Sequence, residues 1–94
     1  MFILQIEHPV RNYEMWKKTF DSDPLVRKRS GVQRHRVLRP TDSPEYAIVE
    51  LEFLTAAEAE TMLIALRKLW GQVEGTLIDK AHARIVEVTE EIKY

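Results

Sequence analysis
The chain contains no cysteine. Disulfides, thiolate metal sites and a cysteine nucleophile are excluded, and the composition fits a reducing compartment. Glycine is scarce, three residues in 94, and none belongs to a Gly-rich phosphate loop. Neither sign of charge dominates: 14 Lys and Arg stand against 15 Asp and Glu, a net charge of −1. A general polyanion binder carries a basic excess, so nucleic acid is not an expected partner. No apolar run approaches the roughly 18 residues needed to span a bilayer, so no membrane partner is expected. The opening MFILQIEHPV is apolar too briefly for a signal peptide and lacks its basic start. These absences describe one soluble, cytoplasmic domain over residues 1–94. A domain this small buries only roughly 60–65% of its unfolded surface, so a partner copy would add stability.

What is present is strong local periodicity. Phe2–His8 alternates, with Phe2, Leu4, Ile6 and His8 on one face and Ile3, Gln5 and Glu7 on the other. Period two predicts a half-buried strand, which Pro9, lacking an N–H, should end. Asn12 is a natural N-cap, and Glu14 suits the positive end of a helix. Tyr13, Trp16 and Phe20 follow at helical spacing as an aromatic stripe. Asp23 with Pro24 predicts a second helical piece that Gly31 stops.

Val32–Pro40 reads as a basic second strand, and Glu45–Phe53 as a third with Ala47, Val49, Leu51 and Phe53 on one face. Thr55 and Glu58 form a capping-box pattern. It opens a helix over Ala56 to about Val73, with Ala59, Met62, Leu63, Leu66 and Trp70 at helical spacing. Gly71 and Gly75 weaken and end it. Residues 76–81 read as a loop with a short helical turn, and His82–Glu90 as the last strand.

The order βαββαβ predicts an α+β, ferredoxin-like fold: a four-stranded antiparallel sheet with both helices on one face and right-handed crossovers. The other face would carry Ile3, Gln5, Glu7, Tyr46, Ile48, Glu50 and Glu52, with His35, Val37, Arg84 and Val86 beside them. Antiparallel sheets tolerate a solvated face, but this one is rich in apolar residues. A second copy of the chain, meeting it face to face, is the expected partner.

The segments VRNYEMWKKTFD, RKRSGVQRHRVLR and VELEF, with the Ala-rich second helix, resemble the dimeric α+β-barrel superfamily. They are most similar to the small proteins grouped with antibiotic-biosynthesis monooxygenases. The resemblance covers most of residues 6–70 and speaks to fold more than to function. It implies a pocket between helices and sheet in each subunit of a homodimer. It also implies cofactor-free oxidation of a phenol or hydroquinone as one activity of the group. The haem-degrading branch uses an asparagine on the first strand, a tryptophan on the second helix and a histidine beyond it. Here Asn12 follows the first strand and His82 opens the last, so the pattern does not transfer and no cofactor is expected.

His8 and Tyr13 are the candidate catalytic residues: an imidazole with a reference pKa of ~6.5 to deprotonate a phenol, and a hydroxyl to orient it. Both have structural readings, His8 as a core histidine bonded to backbone and Tyr13 as one of the stripe. Trp16, Phe20 and Trp70 are candidate substrate walls, although such stripes more often serve a core. Arg36 would fix a carboxylate or phenolate if it reached the pocket; the competing reading pairs the second-strand arginines with Glu50 and Glu52. Three histidines and Glu7 share no paired spacing, so no metal is expected. The first and third strands lack the central aromatics of an RNA-binding sheet. Two functions remain: a cofactor-free monooxygenase for a small phenolic or polyketide-like ligand, or a non-catalytic ligand-binding or structural dimer.

Overall fold
The computed structural model describes residues 1–73 and 80–94. Its elements run β1 (Phe2–Pro9), α1 (Tyr13–Asp21), β2 (Arg34–Leu38), β3 (Tyr46–Phe53), α2 (Ala56–Val73) and β4 (His82–Glu87). The four strands form one antiparallel sheet in the order β2-β3-β1-β4, the ferredoxin-like arrangement that the element order predicts. Gly75 and the expected loop at residues 76–79 lie outside the described residues.

The two central strands carry the alternation most clearly. In β1, Leu4, Ile6 and His8 are buried, and in β3 Ala47, Val49, Leu51 and Phe53 are buried. These residues stand opposite one another in register, Leu4 to Leu51, Ile6 to Val49 and His8 to Ala47, so one slip would turn the whole set to the wrong face. Trp16 from α1, with Ala59 and Met62 from α2, closes the core over them.

The helix starts follow their caps. The Asn12 side chain accepts from the Met15 N–H at 3.0 Å. Thr55 Oγ1 accepts from the Glu58 N–H at 3.2 Å and donates its own proton to the Glu58 carboxylate at 3.1 Å, a closed version of the capping box.

Four expectations need correction. Pro9 does not end the ladder: Val10, one residue on, still donates to the Glu45 carbonyl at 2.9 Å. The second helical piece after α1 is a series of turns. Asp23 at φ 55° and Val26 at φ 46° are left-handed, a conformation a right-handed helix cannot pass through. Asp23 instead closes α1, donating its N–H to the Phe20 carbonyl at 3.1 Å, and its carboxylate accepts from the Arg27 N–H at 2.9 Å. Gly31, at φ 102°, completes the turn, where a side chain would be strained. The outer strands are also shorter than expected. β4 stops at Glu87, opposite Phe2, and the Val88 N–H beyond it still donates to the Met1 carbonyl at 3.0 Å. β2 stops at Leu38, before Pro40, which has no N–H to give.

The fourth correction concerns the phase of β2. His35 stands opposite Leu51 and Val37 opposite Val49, so both belong to the helix side of the sheet. Arg34, Arg36 and Leu38, paired with Glu52, Glu50 and Ile48, face the open side. Across that open face runs a polar ladder. Arg36 pairs with Glu50, Gln5 donates to Glu50 at 3.1 Å, and Arg84 donates to Gln5 at 3.0 Å. Arg34 pairs with Glu52. Tyr46 donates to Glu7 at 2.9 Å; desolvation and then this bond raise the pKa of its phenol, so it stays a donor. The expected pairing of the β2 arginines with Glu50 and Glu52 is therefore present.

Candidate functional site
The helices do not seal the sheet. Between α1, α2 and strands β1 and β3 lies a cavity of about 80 Å³. Its floor is Ile6, Val49 and Leu51, its α1 wall Trp16 and Phe20, and its α2 wall Met62, Leu66 and Trp70. The turn after α1 closes one end with Leu25 and Arg27, and His8 stands on the floor. Fully apolar cavities of roughly 150 Å³ accept benzene. At about 80 Å³ this cavity is smaller than that, and neither a one-ring nor a fused-ring ligand fits without movement of the surrounding side chains.

Among the described residues His8 is the one buried polar side chain, 2% exposed. Alternation in β1 aims it at the core, and Trp16 meets its ring edge-on with centroids 5.6 Å apart. Its Nδ1 lies 3.1 Å from the Pro9 carbonyl. A carbonyl only accepts, so the neutral ring carries its proton on Nδ1 and Nε2 keeps the basic lone pair. Desolvation lowers the His8 pKa below 6.5, against the opposing pull of the Pro9 carbonyl.

This has a consequence for folding. The unfolded chain takes up the His8 proton near pH 6.5 and the folded chain only at lower pH. The stabilisation is complete above the unfolded pKa and is lost as the pH falls toward the folded one. The slope is at most about 1.4 kcal/mol per pH unit. Denaturation from pH 8 to pH 5 should show this loss in the wild type and a flatter profile in His8→Gln. An NMR titration should place the His8 midpoint below 6.5; a midpoint at or above it would contradict the buried, neutral assignment.

The other expected site residues divide. Trp16, Phe20 and Trp70 line the cavity with His8. Tyr13 does not: it sits half-buried at the start of α1, against Trp16 at 5.7 Å, with the Arg39 guanidinium over its outer face at 4.6 Å. The stripe turns Trp16 inward and leaves Tyr13 at its rim. Arg36 lies on the opposite side of the sheet, held by Glu50, and does not reach the cavity. Its place is taken by Arg27, which sequence reading missed. Arg27 lies seven residues beyond Phe20, and only the left-handed turns at Asp23 and Val26 fold it back onto that ring. Among the described residues no group of three His, Cys, Asp or Glu is placed to hold a metal, and no helix is long and apolar enough to cross a membrane.

Neither a family model nor a curated protein matches the sequence. Solved structures do match its fold. A "putative antibiotic biosynthesis monooxygenase" from Deinococcus radiodurans superposes with a TM-score of 0.77 at 11% identity, over 100% of this chain and 98% of that one. A protein of the same description from Nitrosomonas europaea gives 0.72 at 16% identity, over 96% and 100%. A dimeric ferredoxin-like protein from an uncultured marine organism gives 0.70 at 16% identity, over 97% of each chain. These neighbours include the group that the sequence resembles. At such identities the likeness establishes the ferredoxin-like fold and leaves activity to the site.

Proposed function
We propose that the protein is a homodimer, closed through the open face of its sheet, that binds a single-ring phenol in the cavity of each subunit and oxidises it with O₂ and no cofactor. One observation carries the chemistry: a neutral histidine, proton fixed on Nδ1 by the Pro9 carbonyl, set in the wall of an apolar cavity. In that arrangement Nε2 takes the phenol proton. The phenolate transfers an electron to O₂, and the radical pair closes to a carbon–oxygen bond. The imidazolium returns its proton to the distal peroxide oxygen; loss of the ring hydrogen on the same carbon then breaks the O–O bond, leaving the proximal oxygen as a carbonyl and releasing the distal one as water. For hydroquinone the products are hydroxybenzoquinone and one water. Trp16, Phe20 and Trp70 exclude bulk water from the reactive anion.

Homodimerisation is supported by the open face, where Ile3, Leu38, Ile48 and Val86 lie among the ion pairs. The dimeric ferredoxin-like neighbour gives it further support.

Oxygen uptake on hydroquinone in air tests the activity. The wild type should consume O₂ and form hydroxybenzoquinone, and His8→Ala should lower the rate by about a hundredfold or more. Equal rates in both proteins would remove His8 from the chemistry. The second reading, a binder without turnover, is favoured by how completely His8 is enclosed. It would be recognised by hydroquinone raising the melting temperature while O₂ is not consumed.

A further inference from the structure
The cavity wall carries one permanent charge. Among the described residues lining it there is no Asp or Glu, and Arg27 is its only cation besides the titratable His8. The Arg27 side chain is 16% exposed, so its charge is largely withdrawn from water. Its guanidinium carbon lies over Phe20, 3.9 Å from the ring centroid, and the group donates through one terminal nitrogen to the Phe20 carbonyl at 2.8 Å. Asp23 forms an ion pair with Nε at 3.5 Å, longer than a close hydrogen bond, and offsets part of the charge. A guanidinium has five N–H donors in a planar fork, and these two partners do not take them all. The held geometry matters: the bond to the Phe20 carbonyl and the contact with its ring hold the guanidinium beside the cavity instead of leaving it loose in solvent.

A continuous row of rings joins this cation to His8. His8 meets Trp16 at 5.6 Å, Trp16 meets Phe20 at 5.3 Å, and Phe20 carries Arg27. The cavity wall therefore holds a neutral base and a cation, with apolar rings between them.

We infer that the molecule bound here is a single-ring aromatic anion, a hydroxybenzoate-type acid whose carboxylate docks on Arg27 while its hydroxyl lies toward His8. This rests on the cavity reading above and adds the charge of the substrate to it. A neutral phenol leaves the remaining Arg27 donors without an anionic partner. A carboxylate completes it with charge-assisted hydrogen bonds in a site of low dielectric.

Calorimetric titration with three one-ring probes separates this inference from the reading it rests on. 4-Hydroxybenzoate and 4-hydroxybenzamide have nearly the same shape and differ in charge; 4-methylphenol reports the cavity alone. The wild type should bind the acid about tenfold more tightly than the amide. Arg27→Gln should bring the two to parity, with the affinity for 4-methylphenol measured in the same variant as the reference for any general change in the cavity. Arg27→Lys, which keeps a charge and a donor for the Phe20 carbonyl, should retain part of the preference and guards against a folding failure of the glutamine variant. Circular dichroism of each variant checks the fold. A wild-type acid-to-amide ratio below threefold, or a ratio unchanged in a folded Arg27→Gln, overturns the inference. If 4-methylphenol binds without that preference, the Arg27 assignment alone fails. If none of the three probes binds, the cavity reading fails and the inference with it.

Discussion
Trp16→Ala will cost the protein about 3–5 kcal/mol of unfolding free energy, the range for truncating a buried aromatic. For a domain of this size that corresponds to a fall in melting temperature on the order of 20 °C. Trp16 is 7% exposed, and it touches a ring on each side along α1, Tyr13 at 5.7 Å and Phe20 at 5.3 Å. It also braces His8 from above. Removing it takes away the main apolar anchor of a nine-residue helix, one too short to hold its shape without packing. Met15 is the control: it is the adjacent residue, 57% exposed, and Met15→Ala should stay within about 0.5 kcal/mol of wild type. The void left by Trp16 joins the existing cavity, so indole should raise the melting temperature of Trp16→Ala and leave the wild type unmoved. Chemical denaturation with and without indole measures both effects. A loss below about 1 kcal/mol would mean that α1 is not docked on the sheet through this residue.

The second large effect concerns assembly. Ile48 lies on a central strand and faces the open side of the sheet, paired with Glu7 on β1 and Leu38 on β2. If a second copy covers that face, Ile48→Asp introduces one carboxylate from each subunit into the same interface. Each lies next to Glu7 and two residues from Glu50 along the same strand. A symmetric interface doubles the penalty, and an unpaired charge removed from water is costly. Dimer affinity should fall by at least about a hundredfold, near 3 kcal/mol, with helix content unchanged because Ile48 is no part of the core. Sedimentation at micromolar concentration reads this directly. A wild type that sediments as a single subunit, or an Ile48→Asp that still dimerises, would refute the face-to-face assembly. Raising the salt concentration tests the contribution of the Arg34–Glu52 and Arg36–Glu50 pairs. A dimer held by Ile48 and its apolar neighbours should persist, because salt screens charges and not apolar burial.

The two proposals meet at the cavity. Base and cation both reach it through backbone events that the side chains alone do not announce. His8 is placed by β1, a strand whose every inward residue is apolar until the last turn of the alternation. Arg27 is placed by the left-handed turn at Asp23, which brings its guanidinium to the Phe20 carbonyl that the Asp23 N–H also reaches. A substitution that forces residues 22–31 into a helix would therefore disturb the cavity without touching any residue of its floor.

What the sequence alone determined is everything written in local period or at a helix start. Leu4, Ile6 and His8, and Ala47 to Phe53, alternate so strongly that a single register satisfies them. Asn12 and Thr55 mark helix starts because their side chains answer backbone donors three residues on. The burial of His8 and Trp16 and the inward turn of Phe20 follow from those patterns. The tertiary structure alone decided the rest. β2 offers Arg34, His35 and Arg36 before its first apolar residue, so its phase is degenerate as sequence, and cross-strand partners had to set it; Glu50 and Glu52 drew Arg36 and Arg34 to the open face. Tyr13 shares a stripe with Trp16, but the sheet lies under the second of them, and Arg39 covers the first. Arg27 carries no periodic signal, and its place in the cavity comes from a chain reversal that brings a charge onto a ring seven residues away. Spacing along a chain reports which face a residue shares with its neighbours; which residues meet across a cavity depends on contacts that close only when the sheet has formed.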